Sequence, residues 1–88
     1  MKLVRKLRVK NPLGLHARPA TVIAKLLQGS TSSVSFVYRK ETINARSIMS
    51  ILMLAATKNS FITVVVEGDD AAETMDRLAF AFENQFGE

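Results

Sequence analysis

The chain predicts an α+β fold, an open-faced two-layer sandwich in which three helices cover one face of a four-stranded antiparallel sheet. Three observations carry this. Four short segments alternate apolar and polar residues, and three others repeat apolar residues at helical spacing. Their order is strand, helix, strand, strand, helix, strand, helix, and turn-forming residues separate them without a low-complexity linker or repeat. Finally, 88 residues with 48% hydrophobic side chains suit one domain, residues 1–88, with material for a single core.

Leu3, Leu7 and Val9 alternate with Lys6, Arg8 and Lys10, a half-buried strand blurred by Val4 and Arg5. Asn11-Pro12-Leu13-Gly14 breaks it. A helix follows from about Ala17 to Gln28. Ala20, Ile23, Ala24 and Leu27 form its stripe, and Gly29 supplies a C-terminal stop. Val34, Phe36 and Tyr38 mark a second strand. It turns through Arg39-Lys40-Glu41 into a short third strand, Thr42 to Asn44, with which it pairs as a hairpin. Ser47 opens a second helix reaching about Thr57. Phe61 to Glu67 is β-branched and aromatic, a fourth strand. Asp70 and Glu73 have capping-box spacing. The last helix carries Ala71, Met75, Leu78, Ala79, Phe82 and Phe86 on one stripe. Helices on one face leave the other wet, which accounts for Arg8, Lys10, Ser35 and Thr63 at alternate positions.

Composition narrows function. With no Cys and one His, the chain has no disulfide framework, no Cys-ligated metal and no His pair, and no cofactor is expected. The longest apolar run, Ile51 to Ala56, is too short to span a bilayer, and the N-terminal stretch has no signal-peptide core. A cytoplasmic domain is expected. The net charge of +4 hides an asymmetry. Residues 1–58 hold eleven bases and one acid, a net of +10, whereas residues 59–88 hold one base and seven acids, a net of −6. A basic body suggests nucleic acid first, or a surface that steers acidic proteins.

His16 is the most informative residue. It follows a Gly-containing turn and precedes a helix, where backbone N–H groups lack intrahelical partners and the helix dipole is positive. The N–H groups of Ala17 and Arg18 would point at an anion there. Pro19, in the first turn, loses nothing by having no N–H. Arg18 adds a guanidinium suited to phosphate oxygens. A neutral imidazole nitrogen is a good phosphoryl acceptor, and these donors would stabilise the transferred group. No second general base lies nearby in sequence and no P-loop exists, so the residues describe a passive acceptor and donor whose partners supply catalysis, not an enzyme. The alternative is a histidine that only caps a helix.

The stretch Asn11-Pro12-Leu13-Gly14-Leu15-His16-Ala17-Arg18-Pro19-Ala20 resembles the active-site signature of the HPr family, the phosphohistidine carriers of the phosphoenolpyruvate-dependent phosphotransferase system. The order of elements agrees along essentially the whole chain. The resemblance implies an HPr-like fold and a His16 that accepts phosphate from Enzyme I and passes it to Enzyme II A-type domains. In the family the phosphate sits on Nδ1. The resemblance also implies a docking face made from the first two helices.

The second helix carries two apolar stripes, Ile51, Leu54 and Ala55 on one side, and Ile48, Met49, Leu52, Met53 and Ala56 on the other. The expected exposed patch is Ile48, Met49, Leu52 and Met53, since methionines adapt to several partners. Leu15, Pro19 and Ala20 would extend the docking face, and Arg18, Lys25 and Arg46 would ring it. Ser47 caps this helix. Ser47-Ile48-Met49 is also similar to the regulatory phosphoserine region of HPr proteins that have an HPr kinase/phosphorylase, although Ser50 and Ala55 stand where those carriers usually have Gly. Ile51 to Lys58 and the ending Asn84-Gln85-Phe86-Gly87 are similar to nitrogen-branch carriers. Sugar uptake and a regulatory relay therefore both stay open.

Two other readings compete. A regulatory relative acting only through a phosphorylated serine is disfavoured by the presence of His16 and Arg18. A basic nucleic-acid-binding domain would need aromatic and basic residues together on an open sheet face, but alternation turns Phe36 and Tyr38 towards the core. The expectation is a monomer that engages phosphotransfer proteins, with no nucleic acid and no membrane insertion.

Overall fold

Alternation decides which side of each strand is dry. In the computed structural model, which describes all 88 residues, the chain forms β1 (Lys2–Arg8), α1 (Ala17–Leu27), β2 (Ser33–Tyr38), β3 (Glu41–Asn44), α2 (Ile48–Leu54), β4 (Phe61–Glu67) and α3 (Ala71–Glu83), then a 3₁₀ turn at Gln85–Gly87. The strands lie in the order β1-β4-β2-β3, and all three pairings are antiparallel. This is the predicted architecture. Leu7 pairs with Ile62, and Val34 and Phe36 pair with Val66 and Val64, so the buried positions of neighbouring strands fall in line. They meet Ala20, Ile23 and Leu27 of α1, Ile51 and Leu54 of α2, and Met75, Leu78 and Phe82 of α3 in one core. Phe82 lies edge-on to Phe36, with ring centroids 5.9 Å apart. No helix is long and apolar enough to cross a membrane.

The β2–β3 hairpin closes through Arg39 and Lys40, whose φ angles of 49° and 68° match the twist that a two-residue turn needs. The first helix stops just before Gly29, as expected, but without a left-handed glycine. The turn after α1 instead tightens through Gln28, Gly29 and Ser30 N–H groups bonded three residues back. Two other local expectations require correction. Asp70 does not cap α3 with its side chain. Its carboxylate accepts from the hydroxyls of Ser30 and Ser32 and from the N–H groups of Thr31 and Ser32, tying the start of α3 to the α1–β2 loop. The Ser32 hydroxyl and then the Thr31 N–H hold its pKa well below the ordinary carboxylate range, against a smaller opposing effect of burial. Phe86 is buried, but not on α3. Left-handed Gln85 and Phe86 fold the chain back after Glu83, and Phe86 packs on Phe82 at 4.9 Å.

The second helix ends at Leu54, earlier than expected, because Ala55 turns left-handed at φ 52° and returns its N–H to Leu52. Ala56 is consequently buried in the core and is not part of the exposed stripe. Arg8, Ser35 and Thr63 lie on the uncovered side of the sheet. Lys10 does not, since it sits beyond β1 and its Nζ reaches Glu83 on α3 at 2.7 Å.

Candidate functional site

The site is built on a loop that has no freedom to drift. Gly14 adopts φ +71°, and its N–H bonds to the Asn11 carbonyl at 3.0 Å. The next N–H, on Leu15, bonds to the Ala56 carbonyl at 3.0 Å, which fixes the loop against the end of α2. Leu15 itself is buried and anchors the loop in the core. His16 follows as the N-cap of α1, with an extended backbone and its carbonyl accepting from Ala20 N–H at 3.1 Å. The imidazole makes no capping bond. The N–H groups of Ala17 and Arg18 have no acceptor in the protein, and Pro19 has no N–H to satisfy. Two bare donors, the positive end of α1 and the 79% exposed Arg18 guanidinium therefore share one locality with a 29% exposed imidazole.

The residue that sequence reasoning missed is Glu88. Both its carboxylate oxygens lie 3.1 Å from His16 Nε2, and one lies 4.0 Å from Arg18 Nε. Asn11, fully buried, donates from Nδ2 to the other oxygen at 2.6 Å. One of the seven acids of residues 59–88 thus lies against the histidine. Burial pushes the pKa of the Glu88 carboxyl up, but the Asn11 and His16 hydrogen bonds and the nearby positive charge outweigh this and hold it below the ordinary carboxylate range. The signals in the sequence were an apolar Phe86 at core spacing, a flexible Gly87 and then an acid. Nothing local linked them to His16, 72 positions earlier.

Two shallow depressions are lined by His16, and a third lies over the first turns of α1. One, of about 360 Å³, runs from Leu13, Leu15 and His16 to Leu52, Ala55, Ala56 and Thr57, and so joins the histidine to α2. Another, about 280 Å³, is lined by Pro12, Leu13, His16, Gln85 and Glu88. The third, about 310 Å³, lies over Ala17, Arg18, Thr21, Val22 and Phe86. A larger depression of about 610 Å³ lies away from the histidine, over Leu26 and α3 residues Glu73, Asp76, Arg77, Phe80 and Ala81.

Of the residues expected to dock partners, Ile48, Met49, Leu52 and Met53 are exposed together on α2, with Met49 and Met53 69% and 78% accessible. Leu13, equally exposed and beside His16, was not anticipated. Lys25 is exposed in the last turn of α1. Leu15, Pro19 and Ala20 must be withdrawn from the docking face, because their side chains are buried. Arg46 also has a different task. Its guanidinium donates to the carbonyls of Ser32 and Ser30, each at 2.7 Å, and of Leu27 at 3.3 Å, clasping the exit of α1. Ser47 caps α2 as expected, with its Oγ accepting from Ser50 N–H at 3.1 Å.

Comparison with known proteins adds the family. Residues 3–84 match the family model described as "PTS HPr component phosphorylation site". The phosphocarrier protein HPr of Chlamydia muridarum is 48% identical over 80 residues, covering 91% of this chain and 77% of that protein. The phosphocarrier protein HPr of Xylella fastidiosa (strain Temecula1) is 35% identical over 86 residues, covering 98% and 97%. Among solved structures, HPr-C-His from Thermoanaerobacter tengcongensis superposes with a TM-score of 0.92 at 31% identity, covering 98% of this chain and 97% of that one. A phosphocarrier protein HPr from Bacillus anthracis gives 0.87 at 32% identity, covering 92% and 96%. With a family match across nearly its whole length and the signature loop folded around His16, the chain belongs to the HPr family, the phosphocarriers of the phosphotransferase system.

Proposed function

We propose that the chain relays a phosphoryl group on His16, accepting it from phosphorylated Enzyme I and passing it to Enzyme II A-type domains. The observation that carries this reading is the imidazole at the N-terminus of α1 beside two unpaired N–H groups and Arg18. A ring nitrogen attacks phosphorus, and a P–N bond forms as the bond to the donor breaks and its electron pair leaves with the donor. The bare N–H groups of Ala17 and Arg18 and the exposed guanidinium then hold the phosphoryl oxygens. Their attraction favours the phosphorylated state without making it permanent, which is what a relay requires. The partners supply the rest of the catalysis, so the chain is a substrate of two reactions and not itself a catalyst.

Docking falls to the exposed face of α2 together with Leu13. The approach from Leu13 to Leu52 is continuous with His16, so a partner seated on α2 brings its own reactive group to the imidazole. The nucleic-acid reading loses support from the buried positions of Phe36 and Tyr38. Phe61 is the one exposed ring on the open sheet face, where recognition by stacking uses two or three.

The test is incubation with phosphoenolpyruvate, Mg²⁺ and Enzyme I. Native protein should gain an acid-labile phosphate and His16→Ala none. Equal labelling of the two would end the proposal. Transfer onward to an Enzyme II A-type domain, with loss of label from the carrier, completes it.

A further inference from the structure

Glu88 is held in place by groups other than the histidine. Phe86 is buried against Phe82, which fixes the end of the chain in the core. The N–H groups of Gly87 and Glu88 close a 3₁₀ turn on Asn84 and Gln85, each at 3.0 Å. Asn11 Nδ2 grips this turn twice, at the Gln85 carbonyl (2.8 Å) and at Glu88 Oε1 (2.6 Å). Asn11 is buried and stands at the start of the loop that carries His16, so loop and turn are positioned as one unit. The carboxylate, 20% exposed, thus stands at Nε2 by construction.

An ionised carboxylate only accepts hydrogen bonds. With two oxygens at 3.1 Å, Nε2 must be the protonated nitrogen, and the lone pair resides on Nδ1. We infer that Glu88 is a positioning residue: it keeps the His16 proton on Nε2, so that Nδ1 is the nitrogen offered to the phosphoryl donor. The inference rests on the reading of His16 as the acceptor. When Nδ1 bonds to phosphorus and the donor departs with the electrons of the broken bond, the ring gains positive charge while Nε2 keeps its proton. The Glu88 carboxylate lies against that proton and offsets the charge. Arg18, 4.0 Å from the same carboxylate and largely exposed, is free to swing from Glu88 to the incoming phosphoryl oxygens. Because Glu88 meets the ring at Nε2, its own charge stays on the far side of the imidazole from the new bond.

The experiment reads the imidazole directly. ¹⁵N–¹H spectra of the unphosphorylated full chain are recorded at neutral pH for the native protein, Glu88→Gln and Glu88→Ala, with thermal melts to confirm folding. Native protein should show protonated Nε2, bare Nδ1 and a slowly exchanging Nε2 proton. Glu88→Gln, which still offers a carbonyl acceptor, should keep that pattern. Glu88→Ala should exchange the proton at least roughly tenfold faster, and its initial rate of labelling by Enzyme I should fall roughly tenfold. A role of Glu88 confined to packing the chain end leaves the ring spectra and exchange unchanged in Glu88→Ala, and that result overturns the inference. If those spectra are unchanged while native His16 takes label, only the role of Glu88 fails. If native protein shows the expected spectra but His16 takes no label, the carrier reading fails and this inference with it.

Discussion

Gly14 packs so closely on Ala56 that a Cβ at position 14 would run into the Ala56 carbonyl oxygen. The same oxygen receives the Leu15 N–H, so one contact sets both the loop before His16 and the segment leaving α2. Acceptor and docking helix are thereby held in one frame. Gly14→Ala meets two obstacles, a left-handed φ and the backbone collision, and should lose about 2 to 4 kcal/mol of stability. The shifted loop should also slow labelling of His16 by Enzyme I more than about tenfold, since small misplacements of a reacting group are costly. Urea unfolding and initial labelling rates check both. An alanine variant with native stability would show that the loop yields easily.

Ala55 supplies the opposite case. It holds a left-handed φ of 52° as the C-cap of α2, a conformation costly for a residue with a Cβ. Ala55→Gly relieves this strain but enlarges the unfolded ensemble, leaving a net stabilisation of about 0.5 kcal/mol. The urea midpoint should rise at constant slope. A fall would mean that the Ala55 side chain contributes packing that outweighs the strain.

The periodicities of the sequence place all four strands and three helices because burial is local in pattern. Val34, Phe36 and Tyr38 must share a face, as must Met75, Leu78 and Phe82. His16 is legible for a similar reason, since its neighbours Ala17, Arg18 and Pro19 make an N-terminus whatever the rest of the chain does. What escapes is polar and distant. Asp70 has capping-box spacing, yet the Ser30–Ser32 loop offers it more donors than its own helix does. Arg46 looks like a surface cation until three carbonyls converge on it. Glu88 reaches His16 only because Phe86 folds the chain end back. Leu15 and Ala20 belong to a reactive motif and are nonetheless core residues, since the motif must be anchored to be rigid.

Asp70 makes stability depend on pH with a definite sign. Its folded pKa is shifted down, chiefly by the Ser32 hydroxyl and the Thr31 N–H. A carboxyl of this kind stabilises the fold above its unfolded pKa of about 3.9, and the contribution fades as pH falls towards the folded value. Asp70→Asn should therefore melt lower than native protein at neutral pH. The gap should be full above about pH 5 and shrink steadily below it. Circular-dichroism melts from neutral to strongly acidic pH make the comparison. A gap independent of pH would assign the effect to lost hydrogen-bond geometry and not to charge.

The α2 face and Ser47 can be separated by the kind of change each tolerates. Met49 and Met53 are exposed, so Met49→Asp should change stability by no more than about 0.5 kcal/mol. If α2 seats Enzyme I, the same variant should raise KM for Enzyme I roughly tenfold, because a desolvated apolar contact has become a charge. The rate at saturation should hold, since His16 is untouched. Ser47 differs because its Oγ already caps the helix through Ser50 N–H. Ser47→Ala removes the cap and should cost about 1 kcal/mol while leaving labelling intact. Ser47→Asp keeps a capping oxygen and adds negative charge at the edge of the patch. It should preserve stability and weaken labelling, as a phosphoryl group on Ser47 would do more strongly with nearly twice the charge. Equal losses of labelling in Ser47→Ala and Ser47→Asp would trace the effect to the helix end and remove charge as its cause.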